Sequence, residues 1–250
     1  MKLKKILPHL QQSLEQAGLT EPTELQRETF GPIKSGVDLV IGGLREEGKT
    51  TAIVINVIQR LDKAPAGMIA PRALIIVKDK EKMLEMMELF AELGKHTDLR
   101  IYGVHDKTNL DEDKNQISVG IDVLIGTPIR LNDMFGGAGF DVNQLKMLIV
   151  DDVEELLRNR LEPKIARLSN SIGKTQRLFF TDVITERVEF LADRLMVEPM
   201  FMETGEDDED DYDEFEDDDF DEDFAEDFND FDEEAEEDSE SDNEDKKEEE

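Results

Sequence analysis

Eight residues, Gly43-Leu44-Arg45-Glu46-Glu47-Gly48-Lys49-Thr50, constrain this chain's fold more than any other segment. An apolar run at 37–42 precedes them and an amphipathic stretch at 51–61 follows. Strand, loop and helix in that order are the context a G-x-x-x-x-G-K-T phosphate loop requires. Such a loop turns backbone N–H groups and a helix N-terminus toward an anion, with Lys49 reaching phosphates and Thr50 reaching magnesium. Gly43 and Gly48 frame the turn. Glu46 and Glu47 oppose that use, because two unit charges about 5 Å apart at an effective dielectric near 20 interact by roughly 3 kcal/mol. Two readings stand side by side: a nucleotide site, or a turn that merely joins strand to helix.

Charge divides the chain in two. Of 63 acidic residues, 32 lie between positions 203 and 250, together with 2 of the 29 Lys and Arg. Positions 1–202 keep 31 acids against 27 bases, a net of −4. So dense a run of like charge cannot offset its ordering entropy by apolar burial. One globular domain is therefore expected over 1–204, and a disordered acidic tail over 205–250. Tyr212, Phe215, Phe220, Phe224, Phe228 and Phe231 punctuate that tail. Their spacing permits an aromatic stripe on a helix formed against a basic surface, that of a protein partner or this protein's own nucleic-acid face; the alternative is a purely solvating tail.

Short aliphatic runs recur at 39–41, 73–77, 100–104, 123–125, 147–150 and 178–180, with a final pair at Phe201-Met202. Helix-period segments at 6–17, 80–93, 152–161 and 184–195 lie among them. This alternation predicts an α/β fold, a parallel sheet with helices on both faces. The methionines at 83, 86 and 87 belong to one such helix and read as packing residues. The chain has no cysteine, which excludes disulfides and thiolate metal sites. His9, His96 and His105 show no metal-ligand spacing. The first residues start like a secretion signal, but Pro8, His9, Gln11 and Gln12 interrupt its apolar part. No apolar stretch approaches a membrane span, and the expectation is a cytoplasmic protein with no membrane partner.

Several of these segments resemble, in order, the first RecA-like, ATP-binding domain of DEAD-box RNA helicases, a P-loop NTPase fold. Gly18-Leu19-Thr20-Glu21-Pro22-Thr23-Glu24-Leu25-Gln26 is similar to that family's Q motif. Gly126-Thr127-Pro128-Ile129-Arg130-Leu131 is similar to its T-P-x-R motif, and Met147 to Glu154 to the strand and D-E-A-D box. The resemblance spans about 1–202. It implies ATP and Mg2+ as cofactors and RNA as partner. Gln26 would read adenine, Lys49 the phosphates, Thr50 and Asp151 the magnesium. Thr127, Pro128 and Arg130 would hold the nucleic-acid backbone, and Asp152 would stand as catalytic base. From the residues alone, Thr127 is equally an N-cap, Pro128 a first-turn proline, and Asp151-Asp152 an acidic helix start.

The departures are as specific as the matches. Arg45, Glu46 and Glu47 stand where the family has Thr-Gly-Ser, and Asp152 where it has glutamate. Aspartate is one methylene shorter, and a shift of about 1 Å in a catalytic group can cost roughly a hundredfold. The Ser-Ala-Thr motif reads Thr181-Asp182-Val183, and P-T-R-E-L-A reads Lys78-Asp79-Lys80-Glu81-Lys82-Met83. No aromatic residue precedes Phe30, so the ring that stacks on adenine is missing. In that family a second RecA-like domain supplies an arginine finger, a contribution on the order of a thousandfold; here an acidic run stands where the linker would begin. The sequence thus reads as a degenerate helicase-like protein that binds nucleotide or RNA in a regulatory or adaptor role, without autonomous unwinding. The alternatives are a slow RNA-stimulated ATPase completed by a partner chain, and a protein-interaction module working through its acidic tail.

Overall fold

The structure, a computed structural model, describes Leu3, residues 5–43, 48–137 and 139–204. The expectations about Arg45, Glu46 and Glu47, and about the tail from 205 onward, lie outside the described residues.

Segments of four to six residues, most of them apolar throughout, form the strands: β1 (Leu39–Gly42), β2 (Ala73–Ile76), β3 (Ile101–Val104), β4 (Val123–Gly126), β5 (Met147–Val150), β6 (Gln176–Thr181) and β7 (Met200–Glu203). They make one seven-stranded sheet in the order β3-β4-β2-β5-β6-β1-β7, with every pairing parallel. Strands buried on both faces need no polar alternation, which is why they read as continuous apolar runs. The pleat still sorts their side chains. Leu39, Ile41, Ala73, Ile75, Val123, Ile125, Leu178 and Phe180 join one core. Val40, Leu74, Ile76, Leu124, Leu148 and Phe179 join another on the opposite face.

Helices α1 (Pro8–Gln16), α2 (Glu24–Ser35), α3 (Lys49–Leu61) and α4 (Lys80–Leu93) cover the first face. Helices α5 (Leu110–Ser118), α6 (Pro128–Gly136), α7 (Val153–Arg158), α8 (Glu162–Asn170) and α9 (Glu186–Leu195) cover the second. Met83 and Met86 pack in the core of the first face, as their helical spacing predicts. Strand β7 closes the edge beside β1, so the Phe201-Met202 pair is an edge strand, with Phe201 and Met200 half exposed.

One helical segment is shorter than its periodicity suggests. The stretch predicted as a helix over 152–161 ends at Arg158; Arg160 takes a left-handed φ of 59°, and α8 restarts with proline in its first turn. Strand β6 is longer than its apolar stretch, because the donors of its polar start find acceptors inside the fold, although Gln176 Oε1 has no hydrogen-bond partner among the described residues. The Gln176 amide donates to the carbonyls of Ile33 and Val37, and the Arg177 guanidinium to Ser169 and Thr175.

The topology positions the site. After β1 the chain crosses β6 and β5 to enter β2, so the connections on either side of β1 diverge. In open parallel sheets ligands are taken at that switch point, beyond the carboxyl ends of the strands.

Candidate functional site

Four strand ends converge there. β1 leads to Gly43, β2 to Lys78, β5 to Asp151 and Asp152, and β6 to Asp182. Lys78, Asp151, Asp152 and Asp182, together with Gly48 and the first turns of α3 and α4, line a cleft of about 530 Å3.

Gly48 caps α3 with φ of 80°, a left-handed conformation that a side chain would strain. A Cβ there would also run into the Gln26 amide. Gln26 is buried and hydrogen-bonded within the chain. Its Oε1 accepts from the Thr23 N–H at 3.2 Å, completing a capping box on α2, and its Nε2 donates to the Gly48 carbonyl at 3.2 Å. The resemblance implies an adenine contact for Gln26; in the structure its amide meets the Gly48 carbonyl.

Lys49 opens α3 and is almost buried. Its ammonium donates to the Gly43 carbonyl and lies 2.7 Å from Asp182 Oδ1. The hydroxyl of Thr50, next in the chain, accepts from Lys82 Nζ at 2.5 Å. Lys82 reaches the cleft because Asp79 caps α4, accepting the Lys82 N–H at 2.8 Å and so fixing the first turn. The same ammonium lies 3.9 Å from Asp151 Oδ2.

Asp151 and Asp152 follow β5 and differ sharply. Asp151 is 1% exposed, and among the described residues its Oδ2 has no hydrogen-bond partner. Burial, aided by the neighbouring Asp152 charge, pushes its pKa up to about 7 against the opposing pull of Lys82 and Lys49. Asp152 adopts a left-handed backbone, φ 51°, as the residue before α7, and its N–H donates to Asp151 Oδ1 at 3.1 Å. The Asp152 carboxylate lies 3.2 Å from Lys78 Nζ, which also holds Glu155 at 2.8 Å. Burial works against the Lys78 charge, yet hydrogen bonds to Glu155 and Asp152 outweigh it and raise the Lys78 pKa. Each candidate phosphate, metal or base residue of the cleft thus meets an oppositely charged or hydrogen-bonding partner from its own chain.

The T-P-x-R segment lies at the end of β4. Thr127 occupies the N-cap position of α6 and Pro128 its first turn, as the residues predict, but the Thr127 side chain caps nothing. Its hydroxyl instead donates to Asp106 Oδ1 at 2.7 Å. Arg130 is buried, with its Nε donating to the His105 carbonyl at 2.9 Å, its guanidinium to the Thr108 carbonyl, and Asp113 at 3.5 Å. Its charge braces the loop after β3.

Sequence reasoning flagged the altered motifs at 78–83 and 181–183 without assigning Lys78, Lys82 or Asp182 to the cleft. Two signals were present. Charged residues replace an apolar position in each motif. Lysines also stand in the first turn of α4, where the helix dipole disfavours them.

A parallel sheet covered by helices on both faces, a G-x-x-x-x-G-K-T segment after β1 and acids at the end of β5, one strand removed from β1, define a domain of the P-loop, RecA-like type. The comparisons with known proteins narrow this. The model of the DEAD/DEAH box helicase family matches residues 23–190, and the chain belongs to that family. It is 26% identical over 184 residues to the ATP-dependent RNA helicase eIF4A of Eremothecium gossypii, covering 73% of this chain and 46% of that protein. It is 26% identical over 192 residues to the ATP-dependent RNA helicase DRS1 of the same organism, covering 73% of this chain and 26% of that protein. The chain therefore spans less than half the length of these relatives. In structure it is similar to a DEAD box protein from the hyperthermophile Methanococcus jannaschii, with a TM-score of 0.74 at 16% identity, over 80% of this chain and 55% of that one. Among the described residues no helix is long and apolar enough to cross a membrane.

Proposed function

We propose that this chain is a degenerate DEAD-box module that binds RNA or nucleotide weakly and acts as a regulatory or adaptor component, without turning over ATP. The observation that carries the reading is the mutual pairing in the cleft. Lys49 lies against Asp182, Lys82 against Thr50 and Asp151, and Lys78 against Asp152. A phosphate group or an attacking water must displace those contacts before it can use any of these side chains. The family's ATP and Mg2+ chemistry supplies phosphoryl transfer only when lysine, hydroxyl and carboxylates are free to face the ligand. With −4 over positions 1–202 the domain has no basic surplus to drive sequence-independent RNA affinity. The acidic stretch from 205 suits a basic protein partner, with its aromatic residues as anchors.

Fluorescence anisotropy of the full chain with a single-stranded RNA oligomer, with and without Mg-ATP, tests the reading. Weak binding that nucleotide leaves unchanged is expected. A tenfold ATP-dependent gain in RNA affinity that disappears in Lys49→Ala would favour the alternative, an ATPase component completed by a partner chain.

A further inference from the structure

Thr50 and Asp151 are the pair through which a divalent cation would be held beside a bound phosphate, and their surroundings do not fit one. Magnesium needs oxygens at about 2.0–2.1 Å in a near-octahedral shell. Thr50 Oγ1 already accepts from Lys82 Nζ at 2.5 Å. The buried Asp151 Oδ2 has no hydrogen-bond partner among the described residues, and the Lys82 ammonium faces it at 3.9 Å. Glu85, one turn along α4, draws the same ammonium at 3.3 Å. Lys82 is held there by its own backbone, through the Asp79 cap, and its side chain is only 18% exposed. An ammonium and a dication cannot share these oxygens.

We propose that Lys82 is the resident cation of the cleft: its ammonium takes the place of the divalent ion at Thr50 and Asp151, and a nucleoside polyphosphate enters as the metal-free anion. The second clause rests on the weak nucleotide binding proposed above; the first does not. Mg-ATP would bring a dication against Lys82, whereas free ATP brings only the charge that Lys82 can meet.

The test uses the full chain, with Mn2+ as probe and electron paramagnetic resonance to count bound ions. The acidic stretch takes up Mn2+ in every variant, so the quantity read is the difference between variants. Wild type and Lys82→Arg, which keeps the charge, should show no ion that depends on Asp151. Lys82→Met keeps the unbranched stem and should gain one ion, lost again in the double variant with Asp151→Asn. A wild-type ion removed by Asp151→Asn, or no gain in Lys82→Met, overturns the assignment. In parallel, ATP is titrated in chelator and in Mg2+. Wild type should bind no more tightly with Mg2+, and Lys82→Met about tenfold more tightly. A tenfold Mg2+ preference in wild type overturns the metal-free clause. No binding of either form removes that clause and the nucleotide reading of the cleft together, while the Mn2+ result still decides the role of Lys82.

Discussion

The two ends of the sheet hold two charge clusters built on opposite terms. At the amino ends of the strands Asp122 precedes β4 and gathers Arg72, which precedes β2, and Arg100, which precedes β3. Arg72 reaches Asp122 Oδ1 at 2.9 Å and Arg100 reaches Oδ2 at 2.9 Å. The remaining guanidinium arms donate to the carbonyls of Leu61, Lys63 and Met68. Although burial opposes the charge of Asp122, the arginines hold its pKa below the usual carboxylate value. At the carboxyl ends Asp151 is just as buried, but one oxygen lacks a hydrogen bond and its pKa is pushed up to about 7. A satisfied buried network braces the fold, whereas a partly satisfied one is the pattern by which candidate functional sites are recognised.

The largest effect should come from breaking the braced end. Asp122→Ala leaves two arginines, one of them fully buried, without their carboxylate, and should cost on the order of 3–5 kcal/mol in urea unfolding. A loss below 1 kcal/mol would mean that the cluster contributes little.

The opposite sign is expected at the other end. Asp151 has a folded-state pKa of about 7 against an ordinary 3.8, so the native state holds a proton that the unfolded chain releases. Its contribution therefore destabilises the fold progressively as pH rises from about 4 to about 7, then levels off. Asp151→Asn should stabilise the protein at pH 8, by on the order of 4 kcal/mol at most, with the gain shrinking toward zero near pH 4. Asp122 behaves in the reverse sense: its stabilisation is present above the ordinary carboxylate pKa and is lost as pH falls through the depressed value. Paired pH–stability curves for the two variants would show the contrast directly, and curves of the same sign would refute it.

Much of this was legible in the sequence. The phosphate-loop pattern between an apolar run and an amphipathic stretch gave β1 and α3. Uninterrupted aliphatic runs gave a parallel sheet covered on both faces. Polar residues hid the true start of β6, since Gln176 and Arg177 find their partners in loops and helices far along the chain. The cleft was legible only in part. Gln26, Lys49, Thr50, Asp151 and Asp152 could be named from motif order, and the structure gathers them at one end of the sheet. What they touch could not be read, because the decisive contacts join residues 32 and 133 positions apart, Lys82 with Thr50 and Asp182 with Lys49. Composition and periodicity carry no record of such pairs. The sequence did show that lysine and aspartate had entered two motifs at apolar positions, and those substitutions supply the partners that occupy the cleft.

The central claim, that the cleft's charges satisfy one another instead of a nucleotide, is met most directly by measuring phosphate release from Mg-ATP by the full chain at millimolar nucleotide, with and without RNA. Release at the level of a Lys49→Ala control is expected under both conditions. RNA-stimulated turnover well above that control would contradict it.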